Sequence, residues 1–331
     1  MKKTIQIERF KNNPLIEPDQ HHTWMSRNAF NCGVVIDNDG LYKMLFRGAR
    51  TEDQSMSDLG FATSVDGKEW YVLDKPVLKC RFNKFCKYGI DDPRIVKWID
   101  GWKYIFAAIC PSKEYRTAGI FRTKNFLEYE WVGMPFNLED VNASIFPEPI
   151  NGWAYLLHRK TQHIWISRTK DMSLKSGWQD SKTLIYKDQF YRHPEHDVLP
   201  DKIGIAGPPI RTPKGWLLIT HVVHRWDKKI TRYSFLLHQS YSLGFVVLDL
   251  EDPTKVLYIH PRAILWPEER HEIVGTVPNV VFSCATVDTG GDSLYIYWGG
   301  ADTVICGGRL MKKDLVIKIN GKGAPLFPKY H

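Results

Sequence analysis

Asp100-Gly101-Trp102-Lys103-Tyr104-Ile105-Phe106-Ala107 decides the fold, because the same phrase returns along the chain. A turn residue pair is followed by aromatic and aliphatic residues and then a polar or small ending. The other copies are Asp39-Gly40-Leu41-Tyr42-Lys43-Met44-Leu45-Phe46-Arg47, Asn151-Gly152-Trp153-Ala154-Tyr155-Leu156-Leu157-His158-Arg159, Lys214-Gly215-Trp216-Leu217-Leu218-Ile219-Thr220-His221 and Gly291-Asp292-Ser293-Leu294-Tyr295-Ile296-Tyr297-Trp298. Before each copy stands the partner strand of a hairpin: Phe30–Ile36, Asp92–Trp98, Ala143–Glu148, Ile205–Ile210 and Pro278–Phe282. A glycine turn between two apolar runs is the hairpin signature.

A third phrase follows several copies: Thr63-Ser64-Val65-Asp66-Gly67-Lys68-Glu69-Trp70, Arg122-Thr123-Lys124-Asn125 with Trp131, and Arg168-Thr169-Lys170-Asp171 with Trp178. These supply outer strands. Hairpins recurring every roughly 50 to 75 residues, each with outer-strand material, match one four-stranded blade per repeat. Pro and Gly interrupt every long window, so no sustained 3.6-residue period survives. The fold expected is all-β, a five-bladed β-propeller, with residues 1–331 forming one domain that carries short N- and C-terminal extensions. A two-domain β-sandwich built from the same hairpins is the alternative.

The 12 Trp, 15 Tyr and 16 Phe suit strands and also suit stacking on sugar faces. The net charge of +8 fits a solvated basic surface or an anionic ligand such as phosphate. Lys and Arg form no dense run, which counts against nucleic acid. Glu8 and Arg9 interrupt the N-terminus before an apolar signal core forms, and no run long enough to span a membrane exists. Cys32, Cys80, Cys86, Cys110, Cys284 and Cys306 show neither CxxC nor metal spacing, so they read as free thiols in a reducing cytoplasm. His193, Glu195, His196 and Asp197 have loop-like spacing, and no metal site is expected.

In a propeller the innermost strands line a central channel, and their polar ends share one mouth. Asn31 and Arg47, Asp92 and Arg94, Asn142 and Arg159, His221 and Asp302 occupy those ends. Asp92 precedes a proline that fixes its backbone, and Asp302 lies among small residues in Gly299-Gly300-Ala301-Asp302-Thr303, where a ligand could approach closely. Cleaving a glycosidic bond needs a carboxylic acid to protonate the leaving oxygen, and either Asp fits.

With Asp92-Pro93-Arg94-Ile95, Ile145-Phe146-Pro147-Glu148, Leu157-His158-Arg159, Lys202-Ile203-Gly204, Tyr241-Ser242-Leu243-Gly244 and Val277-Pro278-Asn279-Val280-Val281-Phe282 in this order, the chain resembles glycoside hydrolase family 130. These are the inverting β-mannoside phosphorylases and related β-mannosidases, and the likeness runs from about Asn13 to Thr303. The resemblance implies a five-bladed propeller and phosphorolysis of β-1,4- or β-1,2-linked mannosides to α-mannose 1-phosphate. It places the general acid on Asp92, whose proton passes through a sugar hydroxyl. Substrate binding falls on Asn31, Arg47, Lys202 and Asp302, and phosphate binding on Arg159, His221 and Tyr241. Inorganic phosphate is the co-substrate and no cofactor is implied; the partners are small oligosaccharides, with a homo-oligomer allowed.

Three positions depart from the family pattern. Val141 stands where a Lys or Arg is usual, Asp91 where a Glu precedes the acid, and Thr220-His221-Val222 where Tyr-His-Gly is usual. Arg225, Lys228 and Arg232 are candidates to supply the charge lost at position 141. Two other readings stay open: an inverting β-mannosidase, which would need a carboxylate base where His221 and Tyr241 stand, and a non-catalytic carbohydrate-binding propeller.

Overall fold

The computed structural model describes residues 5–51, 54, 56–136, 139–226, 237–319 and 321–327. After a short N-terminal strand, β1 (Glu8–Arg9), five antiparallel sheets follow in chain order. Blade one holds β2 (Asn28–Ile36), β3 (Tyr42–Ala49), β4 (Asp58–Ser64) and β5 (Tyr71–Val72). Blade two holds β6 (Ile90–Lys97), β7 (Lys103–Ile109), β8 (Thr117–Thr123) and β9 (Glu130–Gly133). Blade three holds β10 (Asp140–Ile145), β11 (Ala154–Lys160), β12 (His163–Thr169) and β13 (Gln179–Ile185). Blade four holds β14 (Pro200–Ile205), β15 (Ile210–Thr212), β16 (Gly215–Arg225), β17 (Gln239–Leu248) and β18 (Val256–Ile259). Blade five holds β19 (Val281–Asp288), β20 (Ser293–Gly300) and β21 (Val304–Met311).

The outermost strand of blade five is β1 itself, with Glu8 opposite Arg309 and Arg9 opposite Gly308. The chain start therefore zips onto its end and closes the ring. Arg9 adds a bolt, donating through Nε and Nη2 to both oxygens of the buried Glu272, at 3.0 and 2.8 Å. Beyond the blades lies a hairpin, β22 (Val316–Ile319) and β23 (Lys322–Pro325). The one α-helical turn among the described residues is α1 (Arg270–Ile273), and no helix there is long and apolar enough to cross a membrane.

The core is divided into seams between blades, which explains why the second strands read as unbroken apolar runs rather than alternating ones. Along β7, Tyr104 and Phe106 pack toward blade three while Ile105, Ala107 and Ile109 pack toward blade one. Along β16, Trp216 and Leu218 face blade three and Leu217 and Ile219 face blade five. Both faces of each second strand are buried, so successive residues of its period-2 pattern all meet a neighbouring blade. Full burial of one such side chain is worth about 1.5–3 kcal/mol.

The third sequence phrase is a turn more than a strand. Ser64 accepts from Gly67 N, Thr123 from Phe126 N and Thr169 from Asp171 N, while Asp66, Asn125 and Asp171 accept from backbone two residues on. Each phrase steers the chain from the third strand into the outer one. Blade four departs from the expected hairpin at Ile205–Ile210. Its inner strand ends at Ile205 because Pro208 and Pro209 offer no N–H to the ladder. Blade five departs likewise: Val277–Asn279 is loop, with Asn279 at φ 59°, Val280 makes a single bridge to Tyr241, and the strand begins at Val281. All six cysteines are free and buried.

Candidate active site

Every innermost strand slips register against its neighbour near its N-terminal end: between Phe30 and Cys32, Asp91 and Arg94, Val141 and Ser144, Pro200 and Lys202, and Ser283 and Ala285. In the first three blades the residue at the bulge is Asn31, Asp92 or Asn142, with φ of 47°, 53° and 53°. Asn and Asp are the non-glycine residues that best tolerate this left-handed conformation. The bulge turns their side chains out of the ladder and into the axis.

They meet in a cavity of about 310 Å³, at the small end of ligand pockets. Asn31, Arg47, Asp92, Asn142, Arg159, Lys202, Tyr241 and Asp302 all line it. So do Gln54, Asp91, Arg116, Val141, Arg225, Gln239, Val277, Val280 and Phe282. A roomier hollow of about 740 Å³ lies between Trp153 and Asp252, but it draws on no innermost strand. Trp153 there is already covered by Arg168, 4.1 Å from its ring centre.

The side of the cavity made by blades five, one and two holds the carboxylates. Asn31 Nδ2 donates to Asp92 Oδ1 at 2.9 Å, and Arg47 Nη1 lies 3.7 Å from the same oxygen. Arg47 Nε sits 3.0 Å from Asp91 Oδ1, and its Nη2 donates to the Gln54 carbonyl at 3.1 Å. Asp91 is fully committed to protein. It accepts from Ser57 Oγ, from Arg116 Nε at 3.3 Å and from the Cys110 thiol at 3.6 Å. Asp92, more open to the cavity, is the carboxyl left to face a ligand. Asp302, from the loop after β20, joins them, near enough to Asp92 for their charges to interact. Burial pushes its carboxyl up to about 7; Arg47 pulls the other way, and Asp92 adds to the rise.

The side made by blades three and four holds cations. Among the described residues no carboxylate lies within ion-pair distance of Arg159 or Lys202. Burial, with Arg94 adding to it, pulls the Arg159 guanidinium below its ordinary value, while Tyr241 raises it. Lys202 Nζ sits 5.7 Å from the Tyr241 ring centre. Arg225 reaches the same wall and pairs with Asp201 at 3.3 Å. Lys228 and Arg232 lie outside the described residues. Val141 faces the cavity opposite Arg159 on the ladder, so position 141 does present its side to this wall.

Two residues expected at the mouth stand behind it instead. Arg94 is buried and donates to the carbonyls of Asp92, Ile205 and Ala206, at 3.0, 3.1 and 2.6 Å, tying blade two to blade four across the axis. His221 is 1 % exposed and does not line the cavity. Its ring stacks on Phe282 with centres 4.2 Å apart, and Nε2 donates to the Ser283 carbonyl at 3.1 Å. Burial, then Arg94 and Arg159, hold its pKa well below the usual value. A methyl at Gly204 would lie 2.6 Å from Asn142 Nδ2 and 3.0 Å from His221 Nδ1, so only glycine lets this wall close. Gly299 has a related task. A side chain there would strike Asn31, so the small residues before Asp302 admit blade one rather than a ligand.

Two polar atoms of the lining residues lack hydrogen-bond partners among the described residues: Asn31 Oδ1 and Asn142 Nδ2. Buried polar atoms are normally satisfied, so these leave hydrogen-bonding capacity for a polar ligand in the cavity. Gln54, Asp91, Arg116 and Gln239 were not anticipated as lining residues. Gln54 and Arg116 come from loops that carry no repeat signal. Asp91 was legible only as the first half of an Asp-Asp pair.

The family model described as β-1,4-mannooligosaccharide phosphorylase matches residues 5–318. A 1,2-β-oligomannan phosphorylase from Thermoanaerobacter sp. (strain X514) is 34 % identical, with 94 % of this chain and 99 % of that protein covered. A β-1,4-mannooligosaccharide phosphorylase from Ruminococcus albus is 29 % identical over 90 % of this chain and 86 % of that one. The solved β-1,2-mannobiose phosphorylase from Listeria innocua, in complex with β-1,2-mannobiose, superposes with a TM-score of 0.76. It is 26 % identical, with 92 % of this chain and 96 % of that one covered. With its five bladed sheets and a family match running nearly end to end, the chain belongs to glycoside hydrolase family 130.

Proposed function

We propose that the protein phosphorolyses β-mannosides with inversion, releasing α-mannose 1-phosphate, and that all of its chemistry resides in the axial cavity. The observation that carries this reading is the pair of cations, Arg159 and Lys202, that line the cavity with no carboxylate partner among the described residues. A fixed positive wall beside an anomeric carbon holds a phosphate through charge-assisted hydrogen bonds. Among the described residues no carboxylate stands free on that wall to activate water, which an inverting hydrolase would need.

In the reaction proposed, a phosphate oxygen attacks C1 of the mannosyl unit from the side of Arg159 and Tyr241. The glycosidic C–O bond breaks toward Asp92, whose proton ends on the leaving oxygen. The count closes because HPO4²⁻ enters carrying one proton and the sugar phosphate leaves as a dianion, so Asp92 is restored. Asn31, Arg47 and Asp302 hold the mannosyl ring, while Lys202, expected from the sequence to bind the sugar, joins Arg159 on the phosphate wall. His221 acts from behind the wall: with Nε2 donating to Ser283, it stays neutral and buttresses Phe282. The relatives of higher identity make β-1,2 linkages the first to try, with β-1,4 second.

Val141 favours a second reading, hydrolysis, because it removes one charge from the phosphate wall. Incubation with β-1,2-mannobiose, β-1,4-mannobiose and mannosylglucose, each with and without phosphate, separates the two by product chromatography. Phosphate-dependent sugar phosphate supports phosphorolysis; full-rate release of free mannose without phosphate overturns it.

A further inference from the structure

In an inverting displacement the nucleophile and the leaving group lie on opposite faces of the ring. If phosphate sits on the wall of blades three and four, the departing sugar must lie against the carboxylate side, next to Asp92. One side chain on that side is cationic and open to solvent. Arg116, from the loop between β7 and β8, lines the cavity with its side chain 46 % exposed. Its Nε is anchored on Asp91 Oδ2 at 3.3 Å, one residue before Asp92. Its terminal nitrogens donate to no protein group among the described residues.

The anchor is itself rigid. Asp91 is 2 % exposed and is gripped on its other oxygen by Ser57 and Arg47. The fork of Arg116 therefore projects from a fixed base, with planar donors spaced to span two neighbouring hydroxyls. Arg47 is less suited to this part, since its buried guanidinium faces Asp91, Asp92 and the Gln54 carbonyl.

We infer that Arg116 recognises the leaving sugar, accepting a neutral hexose with vicinal hydroxyls, and so sets acceptor specificity. This rests on the phosphorolysis reading for the side on which the sugar leaves. The test runs the reaction backwards, from α-mannose 1-phosphate and mannose, with wild type, Arg116→Met and Arg116→Lys. The Met variant should raise the KM for acceptor mannose about 10-fold or more, the value of a lost charge-assisted bond, while the KM for α-mannose 1-phosphate moves less than about 2-fold. The Lys variant keeps the charge but not the fork, and should fall between.

Cleavage of 4-nitrophenyl β-mannoside, whose leaving group has no sugar hydroxyls, should lose much less than cleavage of mannobiose in both variants. It also reports that the site is intact. Equal losses on the aryl mannoside and on mannobiose, or a raised KM for the sugar phosphate alone, would overturn the assignment. A wild type that hydrolyses mannobiose without phosphate would sink the phosphate reading. The comparison of mannobiose with aryl mannoside would still judge Arg116.

Discussion

Arg47 and Arg159 stand on the same rung of two blades. Each lies on a second strand opposite the residue that precedes a left-handed bulge: Arg47 opposite Phe30, Arg159 opposite Val141. Their surroundings differ because the next blade differs. Blade two offers Arg47 the carboxylates of Asp91 and Asp92, whereas blade four offers Arg159 Lys202 and Tyr241. One arginine is consumed by protein anions and organises an acid. The other has no carboxylate within ion-pair distance among the described residues, which leaves its charge for the phosphate proposed above. A repeat fold can thus build both halves of a displacement site from one local design, with the neighbouring blade deciding which half it becomes.

The largest effect should come from the acid. Asp92→Asn preserves the bond from Asn31 but removes the proton, and kcat on mannobiose should fall at least ~100-fold, with a smaller loss on aryl mannosides whose leaving groups need less protonation. Equal losses on both would make Asp92 a sugar ligand. Next, Arg159→Ala should raise the phosphate KM by about 10- to 100-fold and leave the sugar KM nearly fixed. Arg47→Ala should do the reverse. If both arginines move the same constant, the two halves are not distinct.

Restoring a charge should sharpen the contrast. Val141→Lys faces the cavity beside Arg159 and should lower the phosphate KM, by about 10-fold at most if Nζ reaches the anion. The smallest effect is on stability. Asp302 titrates near 7 in the folded protein, above the 3.8 of an exposed carboxyl, so the native state holds a proton that the unfolded chain has released. The stability this gives is fully present below about pH 4 and is lost as pH rises through about 7. Asp302→Asn removes the linkage. Urea midpoints taken from about pH 4 to about pH 8 should decline less with pH in the variant than in the wild type. A wild-type slope no steeper than the variant's would place the Asp302 titration outside this range.

The blades were legible because a propeller seam buries both faces of each second strand, which leaves five apolar runs behind glycine turns. The bulge residues were legible too, since Asn31, Asp92 and Asn142 are the kinds of residue that tolerate positive φ and hold a polar group. Ring closure by Glu8–Arg9 left no trace, because a two-residue strand carries no pattern. Blade four was misplaced by five residues at its inner strand because Pro208-Pro209 interrupts the run. The orientation of His221 was out of reach for a different reason. Its ring turns on the Ser283 carbonyl and on Phe282, both supplied by the next blade some sixty residues away. Loops hid Gln54 and Arg116, and with them the side of the cavity where the leaving sugar is proposed to sit.

The division of the cavity is tested most directly by a crystal structure grown with mannose and phosphate or sulfate. The anion should lie between Arg159, Lys202 and Tyr241, on the far side of the mannosyl C1 from Asp92. An anion bound instead at Arg47 or Arg116, on the side of the carboxylates, would contradict it.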